Sequence, residues 1–308
     1  MCRNGRFGIA NTKRNLGKPM NKFYFAARTM LAGFACLVFA CGAVWAQTKD
    51  IERTGGPYVP TPQVVVDQML RFARVGASDF VMDLGSGDGV IVLTAARQLK
   101  ASGVGLEIDP ELVKLSNESA RKYGVSDRVS FQALDVFKAD LSRATVVTLY
   151  LLPAMMTNLR GKIFSELRPG ARVVSHDYHF GDWMADETIT FDAPEKEVIN
   201  GIPSATLYLW TIPAKVSGRW QLRVDGLAQP QVVEFTQHFH TVSGNMLNAQ
   251  GANLTDISVK GEDIMFSIWH GSARQHFRGK VHGASMSGTV NLNGREAHWQ
   301  AHRTSSPL

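Results

Sequence analysis

The sequence predicts an α/β fold in which a doubly wound, mostly parallel sheet of seven strands is followed by a small antiparallel β-barrel or sandwich. Apolar runs of strand length alternate with helical patterns from residue 57 to residue 212, which is typical of a parallel sheet covered by helices. From Gly218 onward, short stretches of alternating apolar and polar residues are separated by glycines, which is typical of an antiparallel meander. A chain of 308 residues also exceeds the usual size of one domain. We therefore expect two folded domains, at 57–212 and 217–308.

The first 46 residues are expected to be a signal peptide or a membrane anchor. They contain seven of the 33 Lys and Arg residues and none of the 27 Asp and Glu residues. An uncharged run from Thr29 to Thr48 follows this basic start, and such an order is typical of a targeting segment. Because basic residues stay on the cytoplasmic side of a membrane, we expect the rest of the chain to be exported or to lie on the periplasmic side. A location on the cytoplasmic side stays open.

The charge beyond this leader argues against a nucleic-acid partner. From residue 47 onward 26 basic residues stand against 27 acidic ones, so the predicted domains lack the positive charge on which phosphate-backbone binding depends. All three cysteines lie in the leader, which leaves the domains without a thiolate ligand or a disulfide. His238 and His240 share one strand face, but two ligands do not complete a metal site. We predict no metal site.

Local patterns define the elements of the first domain. Thr61 is expected to cap a helix whose first turn contains Pro62, and Asp109 with Pro110 is typical of the start of another helix. Pro153 opens a further helix. The predicted parallel strands are 79–84, 103–108, 128–133, 144–152 and 171–176, and an antiparallel pair, 187–192 and 204–212, is expected at the sheet edge. The second domain is predicted to contain seven or eight strands.

The stretch from Val81 to Gly89, VMDLGSGDG, predicts a strand that runs into a tight turn and then a helix. Its glycines let the backbone bend sharply and let a ligand approach the turn closely. The spacing G-x-G-x-G differs from the G-x-G-x-x-G of dinucleotide sites. The carboxylate of Asp83 is unfavourable beside a phosphate and favourable beside an ammonium or a sulfonium. The turn therefore indicates a nucleotide-like ligand that carries a positive charge.

Two further acidic residues follow the next two strands. Glu107 lies at the end of the second predicted strand, and Asp135 lies just after the third. In an open α/β sheet, ligands bind outside the carboxyl ends of the parallel strands. Each residue alone could be a solvated strand end or a turn residue, but with Asp83 they form a series at neighbouring strand ends. The series indicates one ligand site.

The VMDLGSGDG string resembles the first motif of class I S-adenosylmethionine-dependent methyltransferases. This resemblance implies a seven-stranded, Rossmann-like methyltransferase sheet, S-adenosyl-L-methionine as cofactor, and an enzyme that transfers one-carbon groups. It also implies that Gly85, Ser86 and Gly87 form the cofactor turn and that Glu107 accepts hydrogen bonds from the ribose hydroxyls. The adenine amino group is then expected to meet Asp135, with Val136 as a backbone donor.

A longer series narrows the resemblance. PYVPTPQVV, GLEIDPELV and LYLLPAMMTNLRGKIFSELRPGARVVSHDYHFGDW are similar to the protein-lysine methyltransferase family that includes the ATP synthase c-subunit lysine methyltransferase. The likeness covers 57–185. It implies that Tyr58 and Thr61 contact the methionine side of the cofactor. It also implies that the methyl acceptor is a lysine amine of a protein, with a membrane protein among the candidates.

Candidate catalytic residues lie after the fourth and fifth strands. Leu151, Leu152 and Pro153 stand where methyltransferases of nucleobase amines carry Asn/Asp-Pro-Pro-Tyr, which argues against such substrates. His176, Asp177 and Tyr178 end the fifth strand and are candidates for a base or an amine acceptor, or for strand-end residues bonded to local backbone. For the whole chain, two alternatives stay open. One is a small-molecule N- or O-methyltransferase, and the other is an exported binding protein that retains the fold without catalysis.

Overall fold

A computed structural model describes residues 56–292 and 294–305. These residues fall within one compact unit. The predicted signal peptide or anchor, 1–46, lies outside the described residues. Within the described ranges, no helix combines the length and the apolar character needed to cross a bilayer.

The first sheet has seven strands in the order β3-β2-β1-β4-β5-β7-β6. The first five are parallel, and β7 runs antiparallel to both β5 and β6. The predicted fold class, including the antiparallel pair at the edge, is confirmed. The strands are β1 (Phe80–Leu84), β2 (Ser102–Glu107), β3 (Val129–Ala133), β4 (Val146–Leu149), β5 (Arg172–His176), β6 (Glu187–Asp192) and β7 (Ser204–Thr211).

Helices cover both faces of this sheet. Apolar clusters join α1, α2 and α3 to one face, and another cluster joins α4 to the other. A one-turn 3-10 helix, Val136–Lys138, lies between β3 and β4. The helices are α1 (Gln63–Phe72), α2 (Val90–Leu99), α3 (Pro110–Lys122), α4 (Pro153–Glu166) and α5 (Pro194–Asn200).

Two elements differ from the prediction, and both differences bear on the site. β4 ends at Leu149 instead of 152, because its neighbour β1 pairs with it only as far as Leu84 and then bends away at Gly85, where φ is 81°. Tyr150 and the two residues after it therefore form a loop at the sheet edge. The second difference is α5, a helix of seven residues between the antiparallel strands, where no helix was predicted.

The second sheet contains eight antiparallel strands in the order β10-β9-β8-β15-β14-β13-β12-β11. One face encloses an apolar core that includes Trp220, Phe235, Phe266, Phe277 and Trp299. The strands are β8 (Gly218–Val224), β9 (Gln231–His238), β10 (Thr241–Met246), β11 (Ala252–Lys260), β12 (Asp263–His270), β13 (Ala273–His282), β14 (Ser285–Leu292) and β15 (Arg295–Ser305).

Side chains close the seam between the two end strands of this sheet. A Cβ added to Gly244 of β10 would lie 2.7 Å from Leu254 Cδ2 of β11, so the leucine packs directly on the glycine backbone. The sheet is therefore curled into a near-closed barrel. We call residues 218–305 the barrel.

Candidate active site

The strand order brings the carboxyl ends of β1 to β5 together at one edge of the first sheet. The direction of the order reverses between β1 and β4, which makes this point the topological switch where ligands of open α/β sheets bind. All of the predicted cofactor and catalytic residues that follow a strand lie at this edge. It is the candidate active site.

The glycine turn after β1 is bonded to the end of β2. The amides of Gly85 and Ser86 both donate to the carbonyl oxygen of Leu106, over 2.8 and 2.9 Å. The amide of Gly87 donates to Glu107 Oε2 over 2.9 Å. These amides therefore bind the turn to β2 and do not point to a ligand. Because the glycines have no side chains, a ligand can still come close to the backbone of the turn.

Glu107 organises the site through the same carboxylate. Its Oε1 accepts hydrogen bonds from the amides of Ile108 and Asp109, over 2.7 and 3.1 Å, while Oε2 accepts from Gly87. A carboxylate offers about four acceptor positions, so three backbone donors orient the group and still leave acceptor capacity. The predicted bond to ribose hydroxyls stays a prediction that this geometry permits.

Asp83 is a buried carboxyl on β1, with 2% of its surface exposed. Its Oδ1 accepts a hydrogen bond from Thr148 Oγ1 of β4 over 2.6 Å. Burial raises the pKa of Asp83 to about 7, while the bond from Thr148 opposes this shift. The carboxylates of Glu107 and Asp88 add to the rise. A positive charge on a ligand would therefore relieve the cost of ionising Asp83.

Tyr58 lies over the glycine turn. A Cβ added to Gly87 would lie only 2.5 Å from Tyr58 Cε2, so the tyrosine ring rests on the glycine backbone. Burial and the carboxylate of Asp88 raise the pKa of the Tyr58 hydroxyl above its usual range, which keeps the hydroxyl protonated. Thr61 is half-buried just before α1. Both residues stand where they could cover a ligand held by the turn.

The Gly87→Ala change is expected to raise the dissociation constant for S-adenosylhomocysteine about tenfold, because the new methyl group displaces Tyr58 from the turn. Gly87 has φ 53°, so the change also costs about 1 kcal/mol of backbone strain. Gly124→Ala is the matched control, since Gly124 has φ 66° and no atom within 4 Å of an added Cβ. Calorimetry should show weakened binding for the first variant only. Equal binding by both variants would contradict the role of Tyr58.

Asp135 begins the 3-10 helix after β3. Its Oδ1 accepts a hydrogen bond from the amide of Phe137 over 3.0 Å, so the residue is a helix cap whatever else it binds. Val136 is buried, with 6% of its surface exposed. The predicted contacts of these two residues with adenine stay predictions, and the structure places both at the same edge as Glu107.

His176 and Tyr178 both lie beside Tyr150, which was not predicted from the sequence as a site residue. The Tyr150 ring lies 4.1 Å from the His176 ring and is nearly parallel to the Tyr178 ring at 6.3 Å, centroid to centroid. Burial and the carboxylate of Asp177 raise the pKa of Tyr150 above its usual range. Burial lowers the pKa of His176 below its usual range, so the imidazole is neutral at pH 7. Neither of its ring nitrogens has a hydrogen-bond partner within the described part of the chain.

Asp177 is held by α5 and β7. It forms an ion pair with Lys196 of α5, whose surface is 2% exposed, and its Oδ1 accepts from the amide of Thr206 over 3.1 Å. Lys196 also donates to the carbonyl oxygen of Ser204 over 2.6 Å. Asp177 is therefore the counter-ion of a buried lysine. This arrangement favours the alternative in which Asp177 is a strand-end structural residue over its role as a base.

Comparison with known proteins identifies the family of this chain. A family model described as the ANTKMT methyltransferase domain matches residues 83–187, which include the glycine turn and Asp177. A protein-lysine N-methyltransferase of Saccharolobus islandicus is 41% identical over 51% of this chain and 93% of its own length. The chain belongs to the protein-lysine N-methyltransferase family.

This chain also resembles a relative that it matches over a smaller share of that relative's length, and a protein of solved structure. The methyltransferase is 36% identical to the ATP synthase c-subunit lysine N-methyltransferase of Xenopus laevis, over 42% of this chain and 57% of that protein. A solved structure described as an RNA methyltransferase from Salinibacter ruber, in complex with S-adenosyl-L-homocysteine, is 49% identical. It covers 51% of this chain and 96% of that one, with a TM-score of 0.47.

Family membership makes the chain an enzyme that uses S-adenosyl-L-methionine. The site of the methyltransferase suits this cofactor. The buried carboxyl of Asp83, whose pKa is raised to about 7, can pair with a positive charge on the ligand, and the adjoining glycine turn lets the ligand come close to the backbone. The cofactor supplies the electrophilic methyl group.

Two residues of the site, Tyr150 and Lys196, were not predicted from the sequence. Tyr150 directly precedes the Leu-Leu-Pro segment, and Lys196 follows Pro194, which could have indicated a helix start.

Proposed function

We propose that this methyltransferase transfers the methyl group of S-adenosyl-L-methionine to the side-chain amine of a lysine in a protein. The neutral amine attacks the methyl carbon, the bond from that carbon to sulfur breaks, and the product ammonium then releases a proton. Such an in-line displacement requires alignment of the amine and an environment in which the amine is unprotonated. The family relationship supports the lysine acceptor.

The observation that carries the proposal is the cluster of aromatic rings at the ends of β4 and β5. Tyr150 and Tyr178 present near-parallel rings, 15° apart in plane, beside the neutral imidazole of His176. Aromatic faces attract a cationic amine, and a desolvated amine has a lowered pKa. The partly exposed tyrosine rings therefore suit the approach of a lysine side chain, and desolvation there favours the loss of its proton. We propose Tyr150 and Tyr178 as the residues that contact the amine, while His176, which is 1% exposed, packs against Tyr150.

Exposed apolar side chains lie on α5, just after α5 and in the loop after β4. Val198 is 92% exposed and Ile202 is 51% exposed, and both lie on or just after α5, beside Lys196; Leu152, after β4, is 36% exposed. Large exposed apolar patches mark surfaces that bind other molecules, and these three side chains are the candidates for such a patch. We therefore propose a protein acceptor with apolar residues around its lysine, as a membrane protein would present. Localisation across a membrane stays a prediction from the sequence.

We expect incubation of the full chain with methyl-labelled cofactor and a membrane-protein extract to label protein, and acid hydrolysis to release methyl-lysine. Asp83→Ala protein is the control, because it should label far less protein at a cofactor concentration near the dissociation constant of the wild type. RNA and the small-molecule fraction of the same cells are parallel substrates. Label confined to RNA or to small molecules would contradict the lysine acceptor, and an unlabelled extract together with intact cofactor binding would favour a non-catalytic protein.

A further inference from the structure

One residue of the barrel packs into the core of the first sheet. Phe239 stands at the turn between β9 and β10, with φ 53°, and its side chain joins the core cluster of the first sheet, not that of the barrel. Its ring stacks on Trp183 at 4.8 Å with 6° between the planes, and meets Phe164 of α4 edge-on at 5.3 Å. The guanidinium carbon of Arg160 lies 5.8 Å from the same ring.

Hydrogen bonds fix the hairpin that presents Phe239. Gln237 Nε2 donates to the carbonyl oxygens of Ala214 and Phe239, over 3.0 and 2.9 Å. Gln237 Oε1 accepts from the amide of Val216 over 2.7 Å. One side chain therefore ties the tip of the hairpin to the segment that joins β7 to β8. Since Phe239 is held from its own side, its contact with Trp183 constrains Trp183.

Trp183 ends the loop that carries Tyr178, one of the proposed amine-contacting residues. The loop runs from Asp177 to Trp183, and we call it the β5 loop. Trp183 is 1% exposed, and its carbonyl oxygen accepts from Trp210 Nε1 over 3.0 Å. Phe180 and Trp183 form an isolated antiparallel bridge, and Arg160 Nη1 donates to the carbonyl oxygen of Phe180 over 3.3 Å.

The β5 loop is therefore anchored at both ends. At its start, Asp177 is held by the ion pair with buried Lys196. At its end, Trp183 is held between the core and Phe239. Tyr178 lies between these anchors, with its ring beside Tyr150. Because catalysis depends on the geometry of approach, freedom at either anchor would misplace Tyr178.

We propose that Phe239 is a positioning residue of the methyltransferase, through which the barrel holds the β5 loop so that Tyr178 faces Tyr150. The proposal rests on the proposed function for the role of Tyr178 in contacting the amine. It assigns the barrel a part in methyl transfer. Within the described residues no aromatic ring pair joins Phe239 to Tyr178 or Tyr150, and Phe239 acts through Trp183.

The test compares four variants of the full chain with the wild type. Phe239→Ala removes the stack, Phe239→Leu keeps an apolar side chain without the ring, and Phe239→Tyr keeps the ring. Leu227→Ala is the matched control, since Leu227 is an exposed apolar residue in the turn between β8 and β9, which is the opposite end of the same strand β9. Hydrogen exchange of the amides of 178–183, the dissociation constant for S-adenosylhomocysteine, and kcat and KM for the labelled protein acceptor are measured.

Phe239→Ala and Phe239→Leu should speed amide exchange in 178–183 and lower kcat about tenfold, with cofactor binding and KM within about twofold of the wild type. Phe239→Tyr and Leu227→Ala should behave as the wild type. The leucine variant keeps the test valid if the alanine variant does not fold. Wild-type amide exchange of the loop in the leucine variant would overturn the proposal. Wild-type exchange together with a lowered kcat in the tyrosine variant would also overturn it. A wild-type chain that labels no acceptor would overturn the proposed function alone, because loop exchange still tests the positioning.

Discussion

Replacing Asp83 with alanine should raise the dissociation constant for S-adenosylhomocysteine at least about thirtyfold, because truncating one partner of a buried charge pair costs roughly 2 kcal/mol or more. The amino acid part of that ligand carries an ammonium, and Asp83 is the buried carboxyl at the glycine turn. Calorimetry on the full chain measures the change. The melting temperature of the ligand-free variant, measured at pH 8, shows whether the variant is folded.

The affinity should also depend on pH in a definite direction. The pKa of Asp83 is raised to about 7, so in the free protein the group is mostly protonated at pH 6 and mostly ionised at pH 8. A cationic ligand binds the ionised form better, so affinity should rise about tenfold from pH 6 to pH 8. The same raised pKa means that Asp83 stabilises the free fold when protonated, a contribution lost as the pH rises through 7. Asp83→Asn is the control and should bind equally weakly across this range, and a flat profile for the wild type would contradict the assignment.

Replacing Asp177 with asparagine should lower the free energy of unfolding by about 3 kcal/mol, because it leaves the buried ammonium of Lys196 without a counter-ion. Lys196 is 2% exposed, so water cannot take the place of the carboxylate. Asparagine retains an oxygen that can accept from the Thr206 amide, which isolates the effect of the charge. Urea titration followed by tryptophan fluorescence measures the loss.

Glu234→Gln is the matched control for this prediction. It removes an ion pair with Arg219 in which the two side chains are 57% and 37% exposed, and exposed pairs contribute about 0.5 kcal/mol or less. If Asp177→Asn costs no more than this control, the ion pair with Lys196 is not the anchor of the β5 loop. A large loss of stability with unchanged cofactor affinity agrees with Asp177 as a structural residue.

The sequence predicted well the positions that follow from local pattern. Asp83, Glu107 and Asp135 stand at the ends of strands that apolar runs define, and parallel strands present their carboxyl ends at one edge. Their arrangement along that edge then follows from the strand order. The first sheet and the antiparallel meander were predictable for the same reason.

What escaped prediction depends on contacts between distant parts of the chain. The end of β4 is set by where β1 bends away, so Tyr150 became a loop residue through the partner strand. Lys196 reaches Asp177 only because α5 lies beside β7. His176, a candidate from the sequence, is buried and neutral because of its surroundings, which no spacing in the sequence discloses.

The contact between Trp183 and Phe239 also sets an order of events during synthesis. Every strand of the first sheet lies before residue 212, and domains generally fold from the N-terminus as the chain emerges. The first sheet can therefore assemble while the hairpin that carries Phe239 is still unmade. Until that hairpin is made, one face of Trp183 lacks its stacking partner, so the order of the β5 loop depends on a part of the chain that is made after the whole first sheet.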